Sequence, residues 1–550
     1  MSQTYFLKEY PAGMKATIDP ESYSSVVQLF DHCVKKFATS YHATCMGQTL
    51  TYAQLDEKSA AFAAYLQNHT SLMPGDRIAI QLPNLLQFPV VAFGALRAGL
   101  VLVNTNPLYT ASELEHQFKD SGAKALIVYE GMAKTALSII DKTDIEQVIV
   151  TKIADFHSPL KRILINSIVK YVKKLVPKYN KAKTVSLNDV LKIGENDTYT
   201  KVDRQPDDVI LLQYTGGTTG VPKGAMLTNR NMIANMLQSD EFFKIELENQ
   251  KETIIAPLPL YHCYAFTVNC LLITQTGNHN ILIPNPRDIS GYIKTLRNTK
   301  FTAMTGLNTL FNAMMNHKDF NKIDFSKLHF TLSGGMALMH ETAIRWQKQT
   351  GCPIYEGYGM TETSPVVSFN PPGFHRLGTI GIPAPSTEVK VVDDDGNPLE
   401  ADQVGELYIR GPQVMKGYWN KPEETEKVMS LHGWLKSGDM AKISEDGYIT
   451  IVDRKKDMII VSGFNVYPNE VEDIVTQYDG VVECAAIGVV SEETGEAVKI
   501  FIVASKPINE AQVIAFCRER LTAYKVPRIF EFRDELPKTN VGKVLRRALR

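Results

Sequence analysis

The chain has 550 residues, more than one hydrophobic core serves, so two or more domains are expected and a small stapled scaffold is excluded. Hydrophobic residues make up 44% and charged residues 22%, with Gly 35 and Pro 27, which excludes wholesale disorder and collagen-like or low-complexity chains. Lys and Arg number 59 against 60 Asp and Glu, a net charge of -1, so no global field gathers nucleic acid, and no nucleic-acid partner is expected.

Met1 to Met14 carries Lys8, Glu9 and Pro11 and lacks the apolar core of a secretory signal. The longest apolar candidate for a membrane span, Val90 to Val103, is short and interrupted by Arg97. Seven cysteines show no CxxC pair and no metal-ligand spacing, which fits a reducing compartment. A cytoplasmic protein is expected. Apolar positions recur at helical spacing over Thr51 to Gln67, between short β-branched runs at Ile78 to Leu82, Ala125 to Tyr129 and Val148 to Thr151. That alternation predicts an α/β fold with parallel strands covered on both faces.

Ser158 to Lys183 departs from the charge balance, with Lys161, Arg162, Lys170, Lys173, Lys174, Lys178, Lys181 and Lys183 and no acid. Its apolar members Leu160, Ile163, Leu164, Ile168, Tyr171 and Leu175 fall at spacings of three and four, which predicts a basic amphipathic helix. Two roles suit it: docking on the core with a solvated basic face, or resting peripherally on an anionic inner membrane face.

After the buried-strand run Val209 to Gln213 comes Tyr214-Thr215-Gly216-Gly217-Thr218-Thr219-Gly220-Val221-Pro222-Lys223-Gly224. Glycines let a backbone approach phosphate oxygens, threonine hydroxyls add donors, and the lysine supplies a point charge, so a polyphosphate cradle is implied. No Ser or Thr follows Lys223, which sets the stretch apart from GxxxxGK[ST]. Thr253 to Arg287 contains no acid. From Gly378 to Tyr418 the texture turns to short strands such as Val389 to Val392 and Glu406 to Arg410, split by turns such as Asp394-Asp395-Gly396-Asn397-Pro398. A boundary is expected at the charged Asp453-Arg454-Lys455-Lys456-Asp457, beyond which enough chain remains for a small domain. The division is then 1–453, with its β-rich part at about 378–453, and 454–550.

The glycine-threonine stretch resembles the phosphate loop of the adenylate-forming superfamily, which includes acyl-CoA synthetases, beetle luciferases and the adenylation domains of peptide synthetases. Further motifs follow in that family's order. Glu356-Gly357-Tyr358-Gly359-Met360-Thr361-Glu362-Thr363 resembles the nucleotide segment, which implies adenine against Tyr358 and magnesium on Glu362 with support from Thr218. Ser333-Gly334-Gly335-Met336 resembles the loop bordering the adenine, Asp439 in Ser437-Gly438-Asp439 the ribose carboxylate, and Arg454 the arginine before the hinge at Lys456. Pro257-Leu258-Pro259-Leu260-Tyr261-His262 resembles the opening of the acyl pocket, with His262 as a gate and Tyr264 in the wall; the resemblance places a pocket in the acid-free stretch Thr253 to Arg287, which could not easily neutralise an α-ammonium group and so implies an aliphatic acid rather than an amino acid. Gly463 and Phe464, in Val461 to Glu470, match the coenzyme A tunnel. Lys543, in Pro537-Lys538-Thr539-Asn540-Val541-Gly542-Lys543, matches the lysine that bridges carboxylate and phosphate. Such a cation offsets the repulsion between two reacting anions.

The wording around Asp453 to Ile459 and Gly463 to Glu470, with the basic segment, looks most like bacterial long-chain fatty acid CoA ligases. The resemblance implies a large N-terminal domain with two α/β sheets and a β-rich subdomain, and a small mobile α+β C-terminal domain. It implies ATP, magnesium, coenzyme A and a long-chain fatty acid as ligands. Rival readings are a medium-chain or aryl acid CoA ligase, a fatty acyl-AMP ligase, a luciferase-like oxygenase, or a non-enzymatic acyl-nucleotide sensor. Acyl length, a carrier-protein acceptor and a homodimer stay open.

Overall fold

The computed structural model describes residues 10–215, 222–491, 493–539 and 544–550. Two large sheets dominate the first part of the chain. A seven-stranded sheet runs Val185–Ser186, Gln147–Thr151, Ala123–Tyr129, Arg77–Gln81, Val101–Asn104, Val209–Thr215 and Lys223–Thr228 in spatial order. All its pairings are parallel except the last, between Val209–Thr215 and Lys223–Thr228. A nine-stranded sheet carries parallel strands at its centre, among them Thr253–Ala256, Ala303–Gly306, Phe330–Gly334 and Ile354–Gly359.

The side-chain period of two explains how these sheets pack. In Arg77–Gln81, Ile78 and Ile80 enter one apolar core while Ala79 enters another on the opposite face. Leu211 and Leu212 divide in the same way. The largest core lies between the sheets, because it also takes Ile254 and Leu332 from the nine-stranded one. Both faces are therefore covered, as the continuous apolar runs predict. The helix expected over Thr51 to Gln67 is Tyr52–His69, and Thr51 closes a capping box with Gln54 at its start. Val90 to Val103 is the buried helix Gln87–Arg97 followed by the strand Val101–Asn104. Among the described residues no helix is long and apolar enough to cross a membrane.

A four-stranded antiparallel sheet, Glu388–Val392, Gly405–Arg410, Leu435–Ile443 and Ile449–Arg454, supplies the short-strand texture read in the sequence. After the turn Lys455–Asp457 a five-stranded sheet begins at Ile459–Val461. It carries the helices Pro468–Thr476 and Glu510–Arg518 and has its own core of Ile459, Val466, Val471, Ile500 and Val513.

The basic segment differs from a single docked helix. It forms the helix Pro159–Ser167 and a wider turn, Ile168–Val172, with Val169 its buried apolar residue. Leu160 is 84% exposed and Tyr171 68%, so the apolar face points outward. Spacing reveals that a helix has an apolar face, and it is silent on where that face points.

Candidate functional site

In open α/β sheets ligands bind beyond the carboxyl ends of the parallel strands, where backbone N–H groups and loop side chains converge. Three such ends meet here: Thr215 closes Val209–Thr215, Gly334 closes Phe330–Gly334, and Gly359 closes Ile354–Gly359. They border a cleft of about 2480 Å³ that also takes in Lys223, His262, Tyr264, Asp439, Arg454 and, from the C-terminal part, Lys538.

Of the phosphate stretch, Gly216, Gly217, Thr218, Thr219 and Gly220 lie outside the described residues, as does Lys543. Tyr214 and Thr215 border the cleft, and the Tyr214 hydroxyl donates to Asp120 Oδ2 at 2.7 Å. Lys223 faces Thr215 in the antiparallel register. Its ammonium lies 2.7 Å from Glu424 Oε2 and 4.7 Å from the Tyr418 ring centroid. Lys223, and after it Lys427, hold the Glu424 carboxyl down at about 2.

Glu362, in the turn Thr361–Thr363, is buried at the cleft wall and accepts from Tyr418 Oη at 2.6 Å. Among the described residues no three acidic, histidine or cysteine side chains converge as a metal cage. A hard dication fits this wall when phosphate oxygens complete a shell begun by one carboxylate, which is how magnesium is commonly held. Gly359 has no room for a side chain, since a Cβ would fall 2.0 Å from Pro365 O. Gly335 adopts φ +86 just past its strand, a conformation that suits glycine, and Met336 follows it in the cleft lining. Glu356, at the base of the cleft, accepts from the Leu338 amide at 3.1 Å, and burial pushes its carboxyl up to about 8. Gly357, Met360 and Thr361 line the same wall.

Asp439 and Arg454 face each other in the register of Leu435–Ile443 and Ile449–Arg454. Arg454 Nε lies 2.6 Å from Asp439 Oδ1, and Tyr358 Oη donates to Asp439 Oδ2. An ionised carboxylate offers about four lone-pair sites, so Asp439 keeps acceptor capacity toward the cleft. Lys456 sits exposed in the turn after Arg454, where desolvation and then the Arg454 cation lower its ammonium pKa.

His262 caps the helical turn that follows it, its Nδ1 accepting from the Tyr264 amide at 3.3 Å. Tyr264 is buried beside Gly334. Gly463 occupies φ +82 between Ile459–Val461 and Phe464–Val466, and the exposed Phe464 ring stacks on Tyr524. Neither borders the cleft, whereas Lys538 and Thr539, leading toward Lys543, do.

Two residues at the centre of this geometry escape a reading of the sequence: Tyr418, which touches both Lys223 and Glu362, and Glu424. The only sequence signal is the aromatic pair in Gly417-Tyr418-Trp419 ahead of Pro422.

The family described as AMP-binding enzyme matches residues 30–419, and the AMP-binding enzyme C-terminal domain matches residues 470–543. A protein named "Long-chain-fatty-acid--CoA ligase" from Escherichia coli O157:H7 is 51% identical over 547 residues, covering 99% of this chain and 97% of that protein. One of the same name from Haemophilus influenzae is 48% identical over 555 residues, covering 100% and 98%. Among solved structures, the anthranilate CoA ligase AuaEII in complex with anthranoyl-AMP superposes with a TM-score of 0.85 at 25% identity, over 97% of this chain and 98% of that one. With both its larger and its smaller part matched in order, the chain belongs to the AMP-binding enzyme family.

Proposed function

We propose that the protein joins a long-chain fatty acid to coenzyme A through an acyl adenylate, at the expense of ATP. The observation that carries this is the shared cleft onto which the described parts of the nucleotide motifs (Lys223, Tyr358, Glu362 and Asp439), the acid-free His262 to Val268 wall and the approach to Lys543 all open. Identity of 48–51% over nearly the whole chain to proteins named as such ligases supports the substrate class.

In the first step the fatty carboxylate attacks the α-phosphorus of ATP and pyrophosphate leaves; in the second the thiol displaces AMP. Asp439, fixed by Arg454 and Tyr358, accepts from the ribose hydroxyls. Tyr358 flanks the adenine, and Lys223 meets the phosphates. His262 stands between the acyl wall and the nucleotide. Glu362 would hold magnesium together with phosphate oxygens, and the ion would supply charge neutralisation at the phosphates. Lys543 bridges carboxylate and phosphate. The small domain, 454–550, then turns about Lys456, withdrawing Lys543 and bringing Gly463 and Phe464 to guide coenzyme A. The orientation of Lys538 and Thr539 toward the cleft, with Gly463 outside it, supports the first of these two arrangements here. Thioester formation over a series of acids, with coenzyme A offered and withheld, tests the reading: a maximum at long aliphatic acids with strict coenzyme A dependence is expected, and a maximum at benzoate or octanoate overturns the substrate class.

We also propose that 158–183 rests on an anionic bilayer. The outward-facing Leu160, Ile163, Tyr171 and Val172 beside Lys161, Arg162, Lys170 and Lys173 support this. Co-sedimentation with phosphatidylglycerol vesicles is expected, falling when Leu160 and Tyr171 are changed to glutamate; equal recovery of both forms would overturn it.

A further inference from the structure

The Lys223 ammonium has company that neither the motif order nor the family match explains. Glu424 stands on the short helix Pro422–Val428, a few residues past Tyr418, and gives each carboxylate oxygen to a different lysine. Oε2 lies 2.7 Å from Lys223 Nζ and Oε1 2.5 Å from Lys427 Nζ. Lys223 Nζ also sits over the Tyr418 ring at 4.7 Å, and the hydroxyl of that ring donates to Glu362 Oε1 at 2.6 Å. One aromatic side chain thus touches both the phosphate cation and the carboxylate at the magnesium position, while one acid draws on the same cation from the helix. An ammonium paired with a carboxylate is less available to a phosphate, so whatever strengthens one pairing weakens the other.

Building on the ligase reading, we propose that Glu424 is a positioning residue that competes with the triphosphate of ATP for Lys223, and so sets nucleotide affinity. The Tyr418 face keeps the ammonium in place while its anionic partner changes, since a cation over an aromatic ring is held without a counter-ion. Lys427 tunes the competition because it shares the Glu424 carboxylate. Removing Lys427 leaves Glu424 wholly to Lys223, and removing the Glu424 charge frees Lys223 for phosphate.

The two side chains therefore have opposite signs, which a merely structural role does not produce. Calorimetric titration of the full chain with magnesium ATP, without fatty acid, measures this. Glu424→Gln is expected to tighten the Kd roughly two- to fivefold, the range of one partly exposed ion pair, and to lower KM for ATP with kcat not raised. Lys427→Gln is expected to weaken the Kd. Each effect should shrink in high salt. Should Glu424→Gln fail to fold, Lys427→Gln decides alone, a weakened Kd supporting the proposal and an unchanged one overturning it. Wild type that binds magnesium ATP while Glu424→Gln binds equally or less well overturns this proposal alone. Wild type that binds no ATP overturns the ligase reading, and the competition with it.

Discussion

Asp453 and Asn469 are joined across the turn between the two parts of the chain: the fully buried Asp453 carboxylate accepts the Asn469 amide at 2.7 Å. The same carboxylate accepts the Arg454 amide at 2.7 Å, so one side chain fixes both the end of Ile449–Arg454 and the start of Pro468–Thr476. Asp453→Ala leaves two partly buried amide donors without their acceptor, and an unsatisfied buried group costs up to about 1–3 kcal/mol. A lower denaturation midpoint is expected, together with a change in the ratio of the two half-reaction rates, read by chemical denaturation and by separate assays of adenylate and thioester formation.

Glu356 gives a pH dependence. Burial, with the nearby Asp473 carboxylate adding to it, raises its carboxyl to about 8. The folded chain therefore holds a proton there that the unfolded chain releases near pH 4.5, so the contribution to stability is complete below about pH 4.5 and is lost as pH rises through about 8. Glu356→Gln keeps the shape without the charge. Its melting temperature should match wild type near pH 4, exceed it increasingly up to about pH 8 and level off above that; a constant difference would contradict the assignment.

Gly359 is closed to any side chain by Pro365 O. Gly359→Ala must push apart Ile354–Gly359 and Val366–Phe369, which pair at this point, and such overpacking costs about 1–3 kcal/mol. Lower stability and a raised KM for ATP are expected. Gly378→Ala, which meets nothing within 4 Å but also sits at positive φ, should lose stability by strain with little change in KM.

Lys543→Ala addresses the division of labour between steps. A charge supplied only in one transition state is typically worth about 10²–10³ in rate. Adenylate formation, followed by pyrophosphate release, should fall at least that far, while thioester formation from supplied acyl adenylate stays close to wild type. Equal loss in both half-reactions would refute the assignment.

The parallel strands and the helix Tyr52–His69 were legible because burial on both faces leaves continuous apolar runs and because Thr51 and Gln54 form a local cap. The cation at Lys223 was legible in its motif, yet its partner Glu424 is 201 residues away, and no local pattern reports a pairing at that separation. Tyr358 and Asp439, 81 residues apart, each stand in a readable motif, but the hydrogen bond between them follows from how the four-stranded sheet meets the nine-stranded one. The outward turn of Leu160 was unreadable for a related reason: spacing defines a face, and tertiary packing aims it.

The separate apolar interior of Ile459, Val466 and Ile500 bears on how such a protein diversifies. Substitutions that reshape it are insulated from the packing beneath His262 and Tyr264, so on the proposed reading acid preference and the pace of thiol transfer could drift under independent selection, each altered without first repairing the other.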